Sequence, residues 1–129
     1  MPDVLVEVKG AWLGARKGAF LEAIHGALVE ALRTPADDKV VRLVEHAAAN
    51  FLIPHGMSER FVHIEIALFA GRSRETKRAL YRALVARVAA FGVPAEAVKV
   101  VLLEVAPENV GLRGGQAACD IELGYEVKL

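Results

Sequence analysis

From Val4 to Val8 (VLVEV), and again from Val62 to Leu68 (VHIEIAL), aliphatic residues fall at alternate positions. A period of two sets one face of a strand against a core, so both runs are predicted as strands. After each run the period changes. Phe20, Leu21, Ile24, Ala27, Leu28 and Leu32 recur at steps of three and four, as do Leu80, Leu84, Val85, Val88 and Phe91. Each set predicts an amphipathic helix. Ser73 stands where the second helix needs an N-cap, Glu75 suits its first turn, and Gly92 followed by Pro94 supplies its stop. Lys39–His46 and Val98–Val105 are short, rich in Val and Leu, and bounded by polar residues or proline, which predicts two further strands.

The two halves of this pattern are copies. Thr34–Asn50 (TPADDKVVRLVEHAAAN) aligns with Val93–Asn109 (VPAEAVKVVLLEVAPEN) at an offset of 59 residues, with seven of 17 positions identical. The same offset carries Leu21 onto Leu80, Ala27 onto Ala86, Val29 onto Val88 and Ala31 onto Ala90. Two copies of a strand, helix and strand predict a duplicated right-handed β-α-β unit. The fold class is therefore α+β: a four-stranded sheet with both helices on one face. The other face is expected to carry Val or Ile side chains that nothing in the chain covers, and so to need subunit partners.

One domain is expected over residues 1–129, with the first copy at about 2–46, a linker at 47–60, the second copy at about 61–105 and a tail at 106–129. In the tail, Gly111–Gly115 (GLRGG) reads as a loop, and Cys119–Val127 alternates in a way that predicts an edge strand or hairpin lying on a neighbouring subunit.

Composition narrows the partners. The hydrophobic fraction of 54% exceeds that of an ordinary domain and points to a large core or an oligomer. Sixteen basic residues balance sixteen acidic ones, and the aromatics are not interleaved with a basic patch, so no nucleic-acid partner is expected. No membrane span, secretory leader or metal motif is visible, and a lone cysteine, Cys119, read as a small buried hydrophobe, suits a reducing, cytoplasmic setting. No cofactor is expected.

Several motifs together carry a family resemblance. Met1-Pro2 opens a strand; Ala23–Ala31 reads AIHGALVEA; Pro35-Ala-Asp-Asp and Val44-Glu-His follow; Ala70-Gly-Arg-Ser precedes Lys77-Arg-Ala-Leu-Tyr-Arg-Ala-Leu. From Pro2 to about Asn109 the chain resembles the tautomerase superfamily, and within it the long-chain branch that includes malonate semialdehyde decarboxylase. The resemblance implies a homotrimer of duplicated β-α-β subunits in which removal of Met1 frees the secondary amine of Pro2. An α-amino group titrates at roughly 7.7 to 8.0, so a shift of about one unit decides whether it works as base or acid.

Three catalytic residues are implied: Pro2, Arg72 and Asp38. Arg72 matches the arginine of the Gly-Arg-Ser motif, which in the family binds or polarises the substrate acid, as a bidentate guanidinium can. Asp38 matches the decarboxylase's catalytic aspartate; a carboxylate there would raise the amine's pKa and can orient a water. The decarboxylase has a second arginine where this chain has Ala70, and aromatic residues where it has Val110 and Leu112. Those departures count against the decarboxylase's own reaction.

The expected function is proton transfer by Pro2 on a small 2-oxo acid or its enol, a small anionic carboxylate. A protonated Pro2 would favour decarboxylation, hydration or dehalogenation instead. From another class, a non-catalytic ferredoxin-like module that binds a small ligand or a protein fits the same pattern. His25 and His46 match family positions but read as packed, hydrogen-bonded imidazoles, and His55 and His63 show no metal-ligand spacing.

Overall fold

A computed structural model describes residues 1–127. The elements follow the two-copy pattern: β1 (Asp3–Lys9), α1 (Lys17–Leu32) and β2 (Val41–His46), then β3 (Val62–Phe69), α2 (Arg74–Val88) and β4 (Val98–Val105). The four strands form one mixed sheet in the order β2-β1-β3-β4. β1 and β2 are parallel, with Val4 opposite Val41, and β3 and β4 are parallel, with Val62 opposite Val98. The copies join antiparallel through β1 and β3, where Val4 faces Ile66 and Val8 faces Val62. Each parallel pair therefore belongs to one β-α-β unit. Even the short 3-10 turns after β2 (Ala48–Asn50) and after β4 (Pro107–Asn109) occupy equivalent places.

The period-two residues make the core. Val4, Val6 and Val8 of β1 and Val62, Ile64, Ile66 and Leu68 of β3 are buried against Phe20, Ile24 and Leu28 of α1 and Leu80 and Leu84 of α2. Each fully buried Ile or Leu contributes about 1.5–3 kcal/mol. Trp12, Phe20 and Phe91 extend this core through edge-to-face contacts at centroid distances of 5.9 and 5.0 Å.

The helix ends differ between copies. In α2 the Ser73 hydroxyl accepts from the Thr76 N–H at 3.1 Å, as the sequence predicts. α1 has no side-chain cap and ends at Arg33, whose φ of 56° is left-handed without a glycine to relieve it.

The uncovered sheet face departs from expectation. It is mixed rather than Val/Ile-rich: Val44 and Leu103 are exposed there, but so stands the Glu7–His46 pair, Oε2 to Nε2 2.7 Å. Strict alternation in β1 puts Leu5 and Glu7 on this face, half-buried, because only the helix side is sealed.

The tail also departs. Its hairpin lies earlier than predicted, pairing Gly111–Leu112 (β5) with Gln116–Ala117 (β6). Gly114 and Gly115, at φ of 84° and 91°, reverse the chain at once. Residues 118–120 form a 3-10 turn and no strand follows up to Val127. Gly124, at φ 83°, breaks the alternating run. Cys119 is exposed rather than buried, because Ala118 takes the inward position of that turn. No helix among the described residues is long and apolar enough to cross a membrane.

Candidate active site

The amino terminus, the turn after α1 and the tail meet at one end of the sheet. Pro2 is buried just before β1. Proline has no N–H to leave unpaired there. The turn Pro35–Asp38, closed by the Asp38 N–H on the Pro35 carbonyl at 3.1 Å, leads into β2, and the Val4 N–H donates to Val40 at 2.8 Å. This brings Asp38 beside the terminus, its Oδ2 3.4 Å from the Met1 amine.

A cavity of about 520 Å³ opens at this junction, within the ordinary range for small-molecule sites. Asp3, Asp37 and Asp38 are its acidic lining residues beside Met1, Val110 and Leu112 are apolar ones, and Arg113 and Tyr125 come from the tail. Val110 and Leu112 thus stand where the sequence places the altered pocket wall.

Arg72 sits between β3 and the Ser73 cap, but it is not a surface arginine. Only 6% of it is exposed. Its Nη1 donates to the Phe69 carbonyl at 3.1 Å; among the described residues Nε and Nη2 are buried with no well-formed hydrogen bond, and the Tyr125 hydroxyl is the polar group that interacts with the guanidinium. Burial lowers its pKa, and Tyr125 and Glu104 act in the opposite direction. An arginine pKa begins so high that the side chain remains a cation. Buried donors of a cation, left unpaired, are costly and are matched by an anionic acceptor.

Tyr125 is the residue that sequence reasoning missed. Its hydroxyl donates to the carbonyl oxygen of Met1, across 124 residues of sequence. Burial pushes its pKa up, Arg72 pulls it down, and Asp38 pushes it up again. The hydroxyl therefore lies within electrostatic reach of both. The only hint in the sequence is its place in the alternating tail, and alternation does not reveal which end of the sheet the tail covers.

Of the three sequence candidates, Asp38 lines the cavity beside the terminus, and Pro2 follows directly on the lining residue Met1. Arg72 does not line it, but it interacts with Tyr125, which does. His25 and His46 are both held by hydrogen bonds, to the Ala36 carbonyl and to Glu7, each at 2.7 Å. Among the described residues no group of three or more His, Cys, Asp or Glu side chains converges to hold a metal ion.

A duplicated β-α-β subunit is the architecture this chain shares with known proteins. The family profile described as "Tautomerase enzyme" matches residues 38–113, which include Asp38 and Arg72, and the chain belongs to that family. Among solved structures, a malonate semialdehyde decarboxylase inhibited by 3-bromopropiolate superposes with a TM-score of 0.82 at 28% identity, over 90% of this chain and 92% of that one. A fused 4-OT that forms a symmetric trimer gives 0.78 at 31% identity, over 92% and 97%. A native fused 4-OT gives 0.83 at 27%, over 93% and 98%. No curated protein matches the sequence.

Proposed function

We propose that this chain, with Met1 removed, is a homotrimeric tautomerase acting on a small 2-oxo acid or its enol, with Pro2 as the proton-transferring amine. The observation that carries this reading is the Tyr125 hydroxyl, bonded to the Met1 carbonyl and backed by the buried Arg72. The carbonyl carbon of Met1 is bonded directly to the Pro2 nitrogen. Its oxygen therefore stands in for an oxygen of a substrate bound beside that nitrogen. Once Met1 leaves, the substrate's enolic oxygen takes the same hydrogen bond.

A neutral Pro2 amine removes a proton from one carbon and returns it to another. Negative charge develops on the oxygen, where the Tyr125 O–H donates and the Arg72 cation supplies a fixed field. Tyr125, with its pKa raised, keeps its proton at neutral pH. The unpartnered Nε and Nη2 of Arg72 favour an anionic ligand, as does the likeness to an enzyme inhibited by the carboxylate 3-bromopropiolate.

Asp38 favours a second reading. Its Oδ2 lies 3.4 Å from the Met1 nitrogen, next in the chain to Pro2, and a carboxylate that stays beside Pro2 once Met1 has left would favour a protonated amine, a general acid for hydration, decarboxylation or dehalogenation. Ala70, in place of the decarboxylase's second arginine, weighs toward the tautomerase. The trimer is supported by the trimeric fused 4-OT and by Val44 and Leu103 exposed on the open sheet face. We place the protein in the cytoplasm and treat 1–129 as one working unit, since the tail closes the site.

Mass spectrometry of the intact protein and an enolpyruvate ketonisation assay with Pro2→Ala and Arg72→Ala test this. Loss of Met1, with activity that both substitutions abolish, is expected. Retained Met1, or indifference to both substitutions, overturns the site.

A further inference from the structure

His25 is 6% exposed in the middle of α1 and has no part in the chemistry proposed for the cavity. Its Nε2 lies 2.7 Å from the carbonyl oxygen of Ala36. A carbonyl only accepts, so this nitrogen carries the proton. Ala36 is the second residue of the turn that ends at Asp38. A carbonyl at that point of a turn ordinarily faces water; here it is tied to a helix.

Asp38 consequently stands between two anchors. On one side the turn is held to α1 through His25, and on the other Val40 is held to Val4 of β1, two residues from Pro2. A third link, Lys39 Nζ to Glu22 Oε1 at 2.9 Å, also reaches α1, but it is exposed on both sides and holds little. The buried His25 bond is the stronger constraint, because an unmade bond there leaves polar groups without water.

We propose that His25 is a positioning residue: by holding the Ala36 carbonyl it fixes the turn that sets Asp38 against the chain terminus, and through Asp38 it sets the protonation of the Pro2 amine. This rests on the Pro2 site described above. The charged groups around the chain terminus are Asp38, 3.4 Å from the Met1 nitrogen, Asp3, Asp37 and Arg113 on the cavity wall, and Arg72, which interacts with Tyr125. Asp38 is the one that His25 controls. A carboxylate held beside an amine favours its protonated form, so a displaced turn takes that influence away.

The test is an NMR titration of the terminal amine in protein labelled with nitrogen-15 proline, with enolpyruvate turnover measured beside it. The proteins are wild type, His25→Leu, His25→Gln, Asp38→Asn and the double variant His25→Leu/Asp38→Asn. Folding is checked by circular dichroism and particle size. His25→Leu is expected to lower the amine pKa in the same direction as Asp38→Asn and to move the acidic limb of the kcat–pH profile down with it, KM little changed. His25→Gln keeps an N–H at similar reach and is expected to restore most of both. In the Asp38→Asn background His25→Leu is expected to add nothing.

A titration that responds to Asp38→Asn but not to His25→Leu overturns the positioning role and leaves the site standing. Equal losses in the Leu and Gln variants, or an undiminished effect of His25→Leu without Asp38, reduce His25 to packing and overturn it as well. If Asp38→Asn changes nothing, the site itself is wrong and the role of His25 falls with it. Should His25→Leu fail to fold, His25→Gln against wild type decides: a titration and turnover close to wild type support the role, and a full loss of both overturns it.

Discussion

Tyr125 donates its hydroxyl hydrogen to the carbonyl oxygen of Met1, so the first residue and the tail meet on the wall of one cavity. If a substrate oxygen inherits that bond, Tyr125→Phe removes a donor aimed at developing charge. We expect kcat to fall roughly 100-fold, in the range for a lost oxyanion donor, with a loss of about 1 kcal/mol in stability. Steady-state kinetics and urea denaturation check both. A variant with full turnover places the oxyanion elsewhere.

The same tyrosine gives the protein a pH signature. Its folded pKa is raised above the ordinary 10, with burial as the largest cause. The folded state therefore holds the proton where the unfolded chain has released it. Stability from this group is fully present below about pH 10 and is lost as pH rises through the folded pKa. Melting temperature followed from pH 8 upward should fall more steeply for wild type than for Tyr125→Phe. Parallel curves would contradict the assigned burial.

Arg72 is costly without an anion. With Nε and Nη2 buried and unpartnered, Arg72→Met should leave the ligand-free protein as stable or up to about 2 kcal/mol more stable, since an apolar side chain of similar reach needs no partners. Malonate at millimolar concentration should raise the melting temperature of wild type and not of the variant. Equal shifts in the two would remove Arg72 from the anion site.

Ser73 caps α2 immediately after Arg72, its hydroxyl accepting from the Thr76 N–H at 3.1 Å. Ser73→Ala should cost about 1 kcal/mol, read as a lower denaturation midpoint at unchanged slope.

Arg33 ends α1 in the left-handed region at φ 56°. Arg33→Gly relieves the strain of a side chain there and should stabilise the protein by about 0.5–1 kcal/mol without altering turnover. A loss of stability would mean that the arginine side chain contributes more than its backbone costs.

Much of the fold is legible in the sequence because its signals are local or repeated. The alternation in β1 and β3, the helical steps ending at Leu32 and Val88, the Ser73 cap and the 59-residue offset each depend on nearby residues or on one half resembling the other. The motif around Arg72 likewise shows where the arginine lies along the chain, between strand and cap.

What that arginine faces is not legible, and neither are the partners of Asp38. A side chain's partners depend on which distant segment comes beside it, and for Arg72 these include Tyr125 of the tail. The tail misleads for the same reason. Its alternation suggests a strand, but Gly114, Gly115 and Gly124 turn the backbone into the left-handed region, and the hairpin forms where the glycines permit. Cys119 looks like a small apolar residue by type and is exposed by position. By itself the sequence determined the duplicated β-α-β order, the helix-facing half of the sheet and the family, all of which rest on periodicity and short motifs. Only the tertiary structure decided that Asp38 stands at the terminus, that Tyr125 interacts with a buried Arg72 and that His25 bonds the turn leading to Asp38, because each is a contact between residues far apart in sequence, set by packing.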